Sequence, residues 1–358
     1  MKKISVGILG ATGMVGQRFI TLLKDHPWFQ VVVVAASPRS AGKSYREAVG
    51  DRWLLQESIP NGVKNLTVLA VENDMQKIAK QVSFVFSALD MEKEEIRNIE
   101  NNYAALGIPV VSNNSAHRWT DDVPMIIPEI NPQHLELIKI QQKNRGWKSG
   151  FIVVKPNCSI QSYVPQLAAL MQYNPQKIVV TTLQAVSGAG KTLNTWPEMQ
   201  ENVIPYIGGE EEKSEKEPLK IWGKIQNGKI VASQYPHISA TCIRVPVNDG
   251  HMASVSVSFK NKPISAKQII QAWKEFDPLK HLHLPSAPSP FITYFEQDNR
   301  PQTRLDRDLG NGMGISAGRL REDEILDYKF IGLSHNTIRG AAGGAILTAE
   351  LLKAKRYL

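Results

Sequence analysis

Residues 155–162 read KPNCSIQS, and Cys158 within them is one of two cysteines among 358 residues. Cysteine does its chemistry as the thiolate, and a free thiol with a pKa of about 8.5 is only a few per cent ionised at neutral pH. The run "FIVVK" reads as a strand, Pro156 and Asn157 end it, and "SIQSYVPQLAALM" reads as a helix. A cysteine where such a helix begins faces free N–H groups and the positive end of the dipole, which favour the thiolate. The expectation is a nucleophile with a lowered pKa. The other cysteine, Cys242 in "TCIRVPV", reads as a buried structural residue.

A thiolate nucleophile needs a proton donor and acceptor beside it. Of the eight histidines, His251 stands out by its context, "IRVPVNDGHMASVS". Asp249-Gly250 is a hairpin signal between two strand-like runs. If those two residues form the loop, Asn248 pairs with His251 and Arg244 faces Val255, and Arg244 then projects from the same face as His251. A loop one residue longer or shorter would put them on opposite faces.

A second feature binds rather than reacts. After the apolar run "ISVGIL" comes "GATGMVGQ", with Gly10, Gly13 and Gly16 in a G-x-x-G-x-x-G spacing between a strand and a helix. Small residues let the backbone approach a pyrophosphate, and the helix start supplies N–H donors and positive potential. An NAD-preferring site carries an acid at the end of the second strand to hold the ribose 2′-hydroxyl. Here that strand runs on into "AASPRSAGK", with Ser37, Arg39, Ser40 and Lys43 where the acid would stand. Donors and cations suit a 2′-phosphate, so the expected cofactor is NADP.

These residues need elements to hold them. In the first third of the chain, "ISVGIL", "VVVVAA", "LTVLAV", "VSFVFSA" and "PVVSN" read as strands, residues 14–25 as a helix, and "MEKEEIRNIENNYAAL" as a helix between the last two strands. Alternating apolar strands and helices predict a parallel, helix-covered sheet of the Rossmann type. The second half differs. "KIVVTTLQAVS" and "TCIRVPV" are longer strands, and "HMASVSVSF" puts His251, Ala253, Val255, Val257 and Phe259 on one face. That alternation predicts an α+β domain with a largely antiparallel sheet. The tail "NTIRGAAGGAILTAELLKAKRYL" reads as a helix of small residues suited to close packing. The expected division is a cofactor domain over 1–156, to which residues 335–358 return, and a catalytic and oligomerisation domain over 157–334.

Composition sets the outer bounds. The chain is 42% hydrophobic and 21% charged, with a formal net charge of +8. No apolar run approaches the roughly 18 residues of a membrane span, and two cysteines make no disulfide framework. The expectation is a cytoplasmic protein with no membrane partner. The basic residues are scattered, and the densest charged stretch, "GEEEKSEKEPLK", mixes both signs and reads as a solvated segment. Nucleic acid is therefore not the expected partner; anionic small molecules are.

One ordered set of segments spans nearly the whole chain: "GATGMVGQ", "SNNSAHRW", "KPNCS", "LQAVSGAG", "IPYIGGEEEK", the R-x6-H of "RVPVNDGH", and "SHNTIRGAAGG". It resembles the aspartate-semialdehyde dehydrogenases of the branch typical of archaea, fungi and some bacteria. The resemblance implies NADPH-dependent reduction of L-4-aspartyl phosphate to L-aspartate 4-semialdehyde and phosphate, a step in making lysine, threonine, methionine and isoleucine. It implies Cys158 as nucleophile and His251 as acid and base, with Gln184 near Cys158. Arg244 would grip the substrate carboxylate, Glu210 the ammonium, and Lys213 and Arg118 the phosphate. Glu210 is preferred over Glu211 and Glu212 for its three-residue spacing to Lys213. Thr12, Gly13, Met14 and Val15 would lie along the cofactor after Gly10, with Ser37, Arg39 and Ser40 at its 2′-phosphate. Ser87, Ser187, Gly188 and Asn336 would line its nicotinamide half. Backbone N–H groups by Cys158 are candidate oxyanion donors. The family suggests a homodimer or homotetramer, and no metal. The rival readings are a malonyl-CoA reductase or N-acetyl-glutamyl-phosphate reductase on the same scaffold, or a non-catalytic NADP sensor.

Overall fold

The computed structural model describes residues 2–358. Its first sheet is built from β1 (Ile4–Leu9), β2 (Phe29–Ala36), β3 (Leu69–Ala70), β4 (Phe84–Ser87), β5 (Val110–Ser112) and β6 (Ile152–Val154), in the order 3-2-1-4-5-6. All pairings are parallel. The order reverses between β1 and β4, and in such sheets ligands bind at that switch point, beyond the carboxyl ends of the strands.

Both faces are covered, so both side-chain sets are apolar. Val6, Ile8, Phe84 and Phe86 point to one side, where Phe19 and Ile20 of α1 (Met14–Leu22) meet Ala345, Ile346 and Ala349 from the end of the chain. Leu9, Val85 and Val110 point to the other, against Ile96, Ile99 and Tyr103 of the helix Lys93–Ala105. Of the expected strand "LTVLAV", only Leu69–Ala70 joins the sheet. No helix among the described residues is long and apolar enough to cross a membrane.

The second sheet is mixed and largely antiparallel. Its order is His237–Arg244, β7 (Pro175–Gln184), His251–Phe259, Tyr328–Ser334, Ile315–Glu322, Ile292–Phe295. His251, Ala253, Val255, Val257 and Phe259 are all buried, as the alternation requires.

The expected hairpin does not form. β7 lies between the two strands, parallel to His237–Arg244 and antiparallel to His251–Phe259. Asn248 does not pair with His251, nor Arg244 with Val255. The chain from Val245 crosses the end of β7 instead, bonded by Val245 N–H to Gln184 O and by Val186 N–H to Val247 O. Asp-Gly is a local turn signal, and it carries no information about a third strand inserted from 60 residues earlier. The convergence it suggested survives by another route. Arg244 stands opposite Gln184 and Leu183 opposite Met252. That register puts Arg244, Gln184 and His251 in one row across three strands.

The charged run "GEEEKSEKEPLK" is not a solvated segment either. Glu210–Ile221 is a helix packed on the strand His237–Arg244, with Glu210, Glu217 and Lys220 buried. Glu215 and Glu211 accept from the backbone of Ala240 and Cys242, closing what would be a free sheet edge. Helical period, not solvation, sorts these charges.

The C-terminal run also divides. Ile338–Ala342 forms a π-helical turn in which Ala341 leaves helical geometry, and Gly343–Ala354 continues as α-helix. The break falls where glycines touch the nucleophile's segment. A Cβ on Gly340 would lie 2.8 Å from Cys158 Cβ, and one on Gly344 2.5 Å from Lys155 Cε.

Candidate active site

Cys158 sits at the carboxyl end of the first sheet, past β6 and facing the second sheet. The helix expected after it is only a four-residue 3-10 turn, Ser159–Ser162, followed by Val164–Ala168. Pro165 stands in the first turn of the second piece and has no N–H with which to continue the preceding turn, so the two stay separate. The Ser159 amide is already taken, because Asn157 Oδ1 accepts from it at 2.7 Å. It is not a free oxyanion donor.

Cys158 is half-buried as a residue. Burial nevertheless pushes its pKa up to about 11, with the Glu210 carboxylate adding to the rise. Lys155, Arg118 and Arg244 pull the other way. The lowered pKa expected from a helix terminus is thus overturned: the thiol's shift is upward. A one-turn helix has too little dipole to offset the loss of water.

His251 Nε2 lies 3.4 Å from Cys158 Sγ. Its Nδ1 accepts from the Ala185 backbone N–H at 3.0 Å. Burial, and then the neighbouring Arg244 cation, drive its pKa down to about 3. Arg244 is 5% exposed, and its Nη1 donates to Ala185 O at 2.7 Å. Gly188 covers this pair from the solvent side. A Cβ there would come within 2.9 Å of Arg244 Nη1 and 3.0 Å of His251 Cε1.

A carboxylate completes the pocket. Glu210 accepts from Asn157 Nδ2 at 3.0 Å, from Lys213 Nζ at 2.7 Å and from Gln184 Nε2 at 3.3 Å. Glu211 instead caps the strand edge, and Glu212 pairs outward with Lys216. Arg118 is buried. Its Nε donates to Lys155 O at 3.0 Å and its Nη1 to Glu217 Oε1 at 2.9 Å. Cys158, His251, Gln184, Arg244, Glu210, Lys213 and Arg118 are therefore joined, directly or through Ala185, Asn157 and Glu217, in one cluster.

Sequence reasoning passed over several members of it. Glu217 accepts from Asn157 N–H at 2.6 Å as well as from Arg118. Lys220 Nζ donates to Arg118 O. The signal was present: Glu210, Lys213, Glu217 and Lys220 recur at three- and four-residue spacing, one face of a helix. Asn157, adjacent to the nucleophile, reads in the sequence only as part of a turn.

The glycine turn lies at the switch point. Gly10 has φ +81°, and a Cβ there would meet Ala88 O at 2.2 Å; one on Gly16 would meet Gly10 O at 2.3 Å. Those two glycines serve the turn itself. Gly13 is exposed and its Cβ position is nearly open, with one atom at 3.6 Å. The start of α1 has no capping side chain and no acid in its first turn. Thr12, Met14 and Val15 flank Gly13, part-exposed. Ser37 and Arg39 are exposed just past β2, while Ser40 is buried. An uncapped helix start beside donors and a cation fits a dinucleotide with a 2′-phosphate.

The remaining cofactor candidates link this turn to the nucleophile. Ser87 ends β4, and its Oγ accepts from Asn114 Nδ2 at 2.9 Å. Asn336 donates to Ser187 Oγ at 2.8 Å and accepts from Gly250 N–H at 2.8 Å, tying two loops beside His251. Ser187 is half-buried, and Gly188 is exposed where it borders His251 and Arg244. The described residues include no cluster suited to a metal ion.

Two family models match: "Semialdehyde dehydrogenase, NAD binding domain" over residues 5–138, and "Semialdehyde dehydrogenase, dimerisation domain" over 167–339. The aspartate-semialdehyde dehydrogenase of Archaeoglobus fulgidus is 45% identical, covering 98% of both chains. That of Saccharomyces cerevisiae is 41% identical over 100% of this chain and 99% of its own. The crystal structure of the Candida albicans enzyme with NADP superimposes with a TM-score of 0.89 at 39% identity, covering all of both chains.

Proposed function

The chain belongs to the aspartate-semialdehyde dehydrogenase family, and from that premise we propose that Cys158 and His251 carry its reaction. The reaction is the NADPH-dependent, reversible reduction of L-4-aspartyl phosphate to L-aspartate 4-semialdehyde and phosphate. The observation that carries the residue assignment is the 3.4 Å approach of Cys158 Sγ to His251 Nε2, walled by Arg244, Gln184 and Glu210.

In this scheme the Cys158 thiolate attacks the acyl-phosphate carbon. The C–O bond to phosphate breaks and a thioester forms. NADPH, when bound, supplies the hydride that reduces it. His251 gives its Nε2 proton to the oxygen that gains charge, then takes a proton back as the C–S bond breaks and the thiolate leaves. Arg244 holds the α-carboxylate by a two-pronged contact. Glu210 holds the α-ammonium, with Gln184 and Asn157 fixing its orientation. Lys213 and Arg118 meet the phosphate. On the cofactor side, the backbone of Gly10 to Val15 takes the pyrophosphate, with Ser37, Arg39 and Ser40 at the 2′-phosphate. Ser87, Ser187, Gly188 and Asn336 border the nicotinamide.

A carboxylate poised for an ammonium supports aspartyl phosphate over malonyl-CoA, which has no amino group. The names of the relatives favour the same substrate over N-acetyl-glutamyl phosphate and over a non-catalytic sensor. The match to a dimerisation domain over residues 167–339 supports assembly of the chain into oligomers. We take that assembly to be a homodimer or a pair of such dimers in the cytoplasm, with residues 1–156 and 335–358 as the cofactor unit and 157–334 as the catalytic one.

The test is Cys158→Ala assayed with aspartate semialdehyde, phosphate and NADP. Turnover disappears while the melting temperature and NADP binding are kept. Measurable NADPH formation by this variant would exclude covalent catalysis at Cys158.

A further inference from the structure

Arg339 is a buried cation in the segment "SHNTIRGAAGG", and the scheme above gives it no task. It is 1% exposed. Its Nη1 and Nη2 donate to the two oxygens of Glu129, each at 2.6 Å, and its Nε donates to Gln161 Oε1 at 3.2 Å. The guanidinium carbon lies 4.8 Å from the centre of the Phe291 ring. Glu129 and Gln161 are buried as well.

The three residues come from separate parts of the chain, and each part leads to Cys158. Glu129 follows a segment laid along β6: Met125 pairs with Val154, and Ile126 N–H donates to Val154 O at 2.9 Å. β6 then runs on into the nucleophile's segment. Gln161 lies in the 3-10 turn after Cys158, and its N–H donates to Cys158 O at 3.3 Å. Arg339 immediately precedes Gly340, where a Cβ would come within 2.8 Å of Cys158 Cβ. Just before Arg339, Asn336 reaches Ser187 Oγ and Gly250 N–H, beside His251.

Helical bonding alone does not fix this last segment. Ile338–Ala342 is a π-helical turn, closed by Gly340 N–H to His335 O at 2.8 Å, and Ala341 leaves helical geometry. The regular ladder of the helix Gly343–Ala354 therefore does not run through it. Stability is not a sufficient reason for the ion pair either. Burying two charges costs about as much solvation as their attraction returns, and apolar residues of similar volume often serve as well. What apolar residues lack is direction. A planar guanidinium meets both carboxylate oxygens in one placement only, and its third N–H fixes Gln161 at the same time.

We propose that Arg339 is a positioning residue. Clamped between Glu129 and Gln161, it seats Gly340 on Cys158 and so sets the sulfur against His251 Nε2 and the loops that Asn336 ties. The inference rests on Cys158 being the nucleophile.

The test separates position from stability. In the full-length protein, Arg339→Met and Glu129→Met each leave one buried charge alone, and melting temperature and turnover both fall. The double variant Glu129→Met/Arg339→Met removes both charges, and its melting temperature returns to that of the wild type. Its kcat with aspartate semialdehyde, phosphate and NADP stays at least about tenfold low, as for a misplaced reacting group, while the KM values for aspartate semialdehyde and NADP stay within about threefold. Arg339→Lys keeps the charge without the fork and does not restore kcat. Recovery of kcat along with melting, a loss confined to KM, or wild-type kcat in Arg339→Lys overturns the proposal. Should the double variant not regain its melting temperature, Gln161→Leu decides. It leaves the Glu129 pair in place and cuts only the tie to the turn after Cys158. Its kcat falls at least about threefold at constant KM; an unchanged kcat refutes the clamp. Cys158→Ala tells the two readings apart. Turnover by that variant ends the reaction scheme and this proposal with it. An inactive Cys158→Ala beside a double variant that recovers kcat refutes the clamp alone.

Discussion

Around Gly13 the groups suited to bind a ligand stand open to solvent; around Cys158 almost every one already has a partner. At the glycine turn, Gly13, Ser37 and Arg39 are exposed and the start of α1 is uncapped. In the pocket, Arg118 holds Glu217, Lys213 holds Glu210, and Arg244 holds Ala185 O. The difference teaches how each region can fail. An open site loses affinity when one contact is removed and nothing else changes. A pre-paired, buried site loses stability as well, because the deserted partner keeps its charge and has no water to replace what it lost.

The sharpest break of that contrast is Glu217→Ala. Glu217 satisfies Arg118 and the Asn157 amide at once and is fully buried. Its loss leaves a buried guanidinium unpaired, which costs about 3–5 kcal/mol. Activity falls with it, since Asn157 orients Glu210. Thermal melting and steady-state kinetics on one preparation check both. A variant that loses activity at unchanged stability would mean the pocket is not pre-paired in the sense argued here.

Acid is the next largest lever, and it acts on buried histidines, His117 and His134 as well as those of the pocket, and not on the open turn. His251 is held at about 3 and His335 at about 4, both chiefly by burial. Both folded values lie below the ordinary value near 6.5. The unfolded chain therefore binds these protons first. The stability of the neutral, buried rings is complete above pH 6.5 and drains away as pH falls toward the folded values. The slope is about 1.4 kcal/mol per pH unit for each histidine so affected. Melting temperatures from pH 7 to pH 4 test this. His335→Gln flattens the curve; a curve unchanged by that variant would reassign the effect to the other buried histidines, His117 and His134, or to carboxylates.

The same contrast explains what was legible in the sequence. Gly10, Gly13 and Gly16 shape one strand-turn-helix from local backbone, so spacing alone exposed that turn. Cys158 was legible as a candidate because it sits at a junction next to Pro156 and Asn157. Its environment was not. Glu210 reaches Asn157 from 53 residues away and His251 reaches the sulfur from 93. The thiol's upward shift comes from burial and Glu210, neither of which local sequence reports. The false hairpin at Asp249-Gly250 has the same origin: β7 intervenes, and no residue between 244 and 251 records it. Glu217 was the avoidable omission, because helical period placed it with Glu210.

The smallest expected effect tests the open region. Arg39 is exposed past β2, at the position where an acid would otherwise select a free 2′-hydroxyl. It has no buried partner to abandon, so Arg39→Ala leaves melting unchanged. In the proposed scheme its contribution is a charge-assisted contact to the 2′-phosphate, worth about 1.5–3 kcal/mol. That predicts a KM for NADP raised about tenfold to a hundredfold, with kcat nearly constant. NAD has no 2′-phosphate, so its KM barely moves and the preference between the two narrows by the same factor. Equal losses for NADP and NAD would place Arg39 on the pyrophosphate instead. No loss for either would leave Ser37, Ser40 and the backbone to carry the recognition, and the open site would then be less dependent on any one contact than its exposure implies.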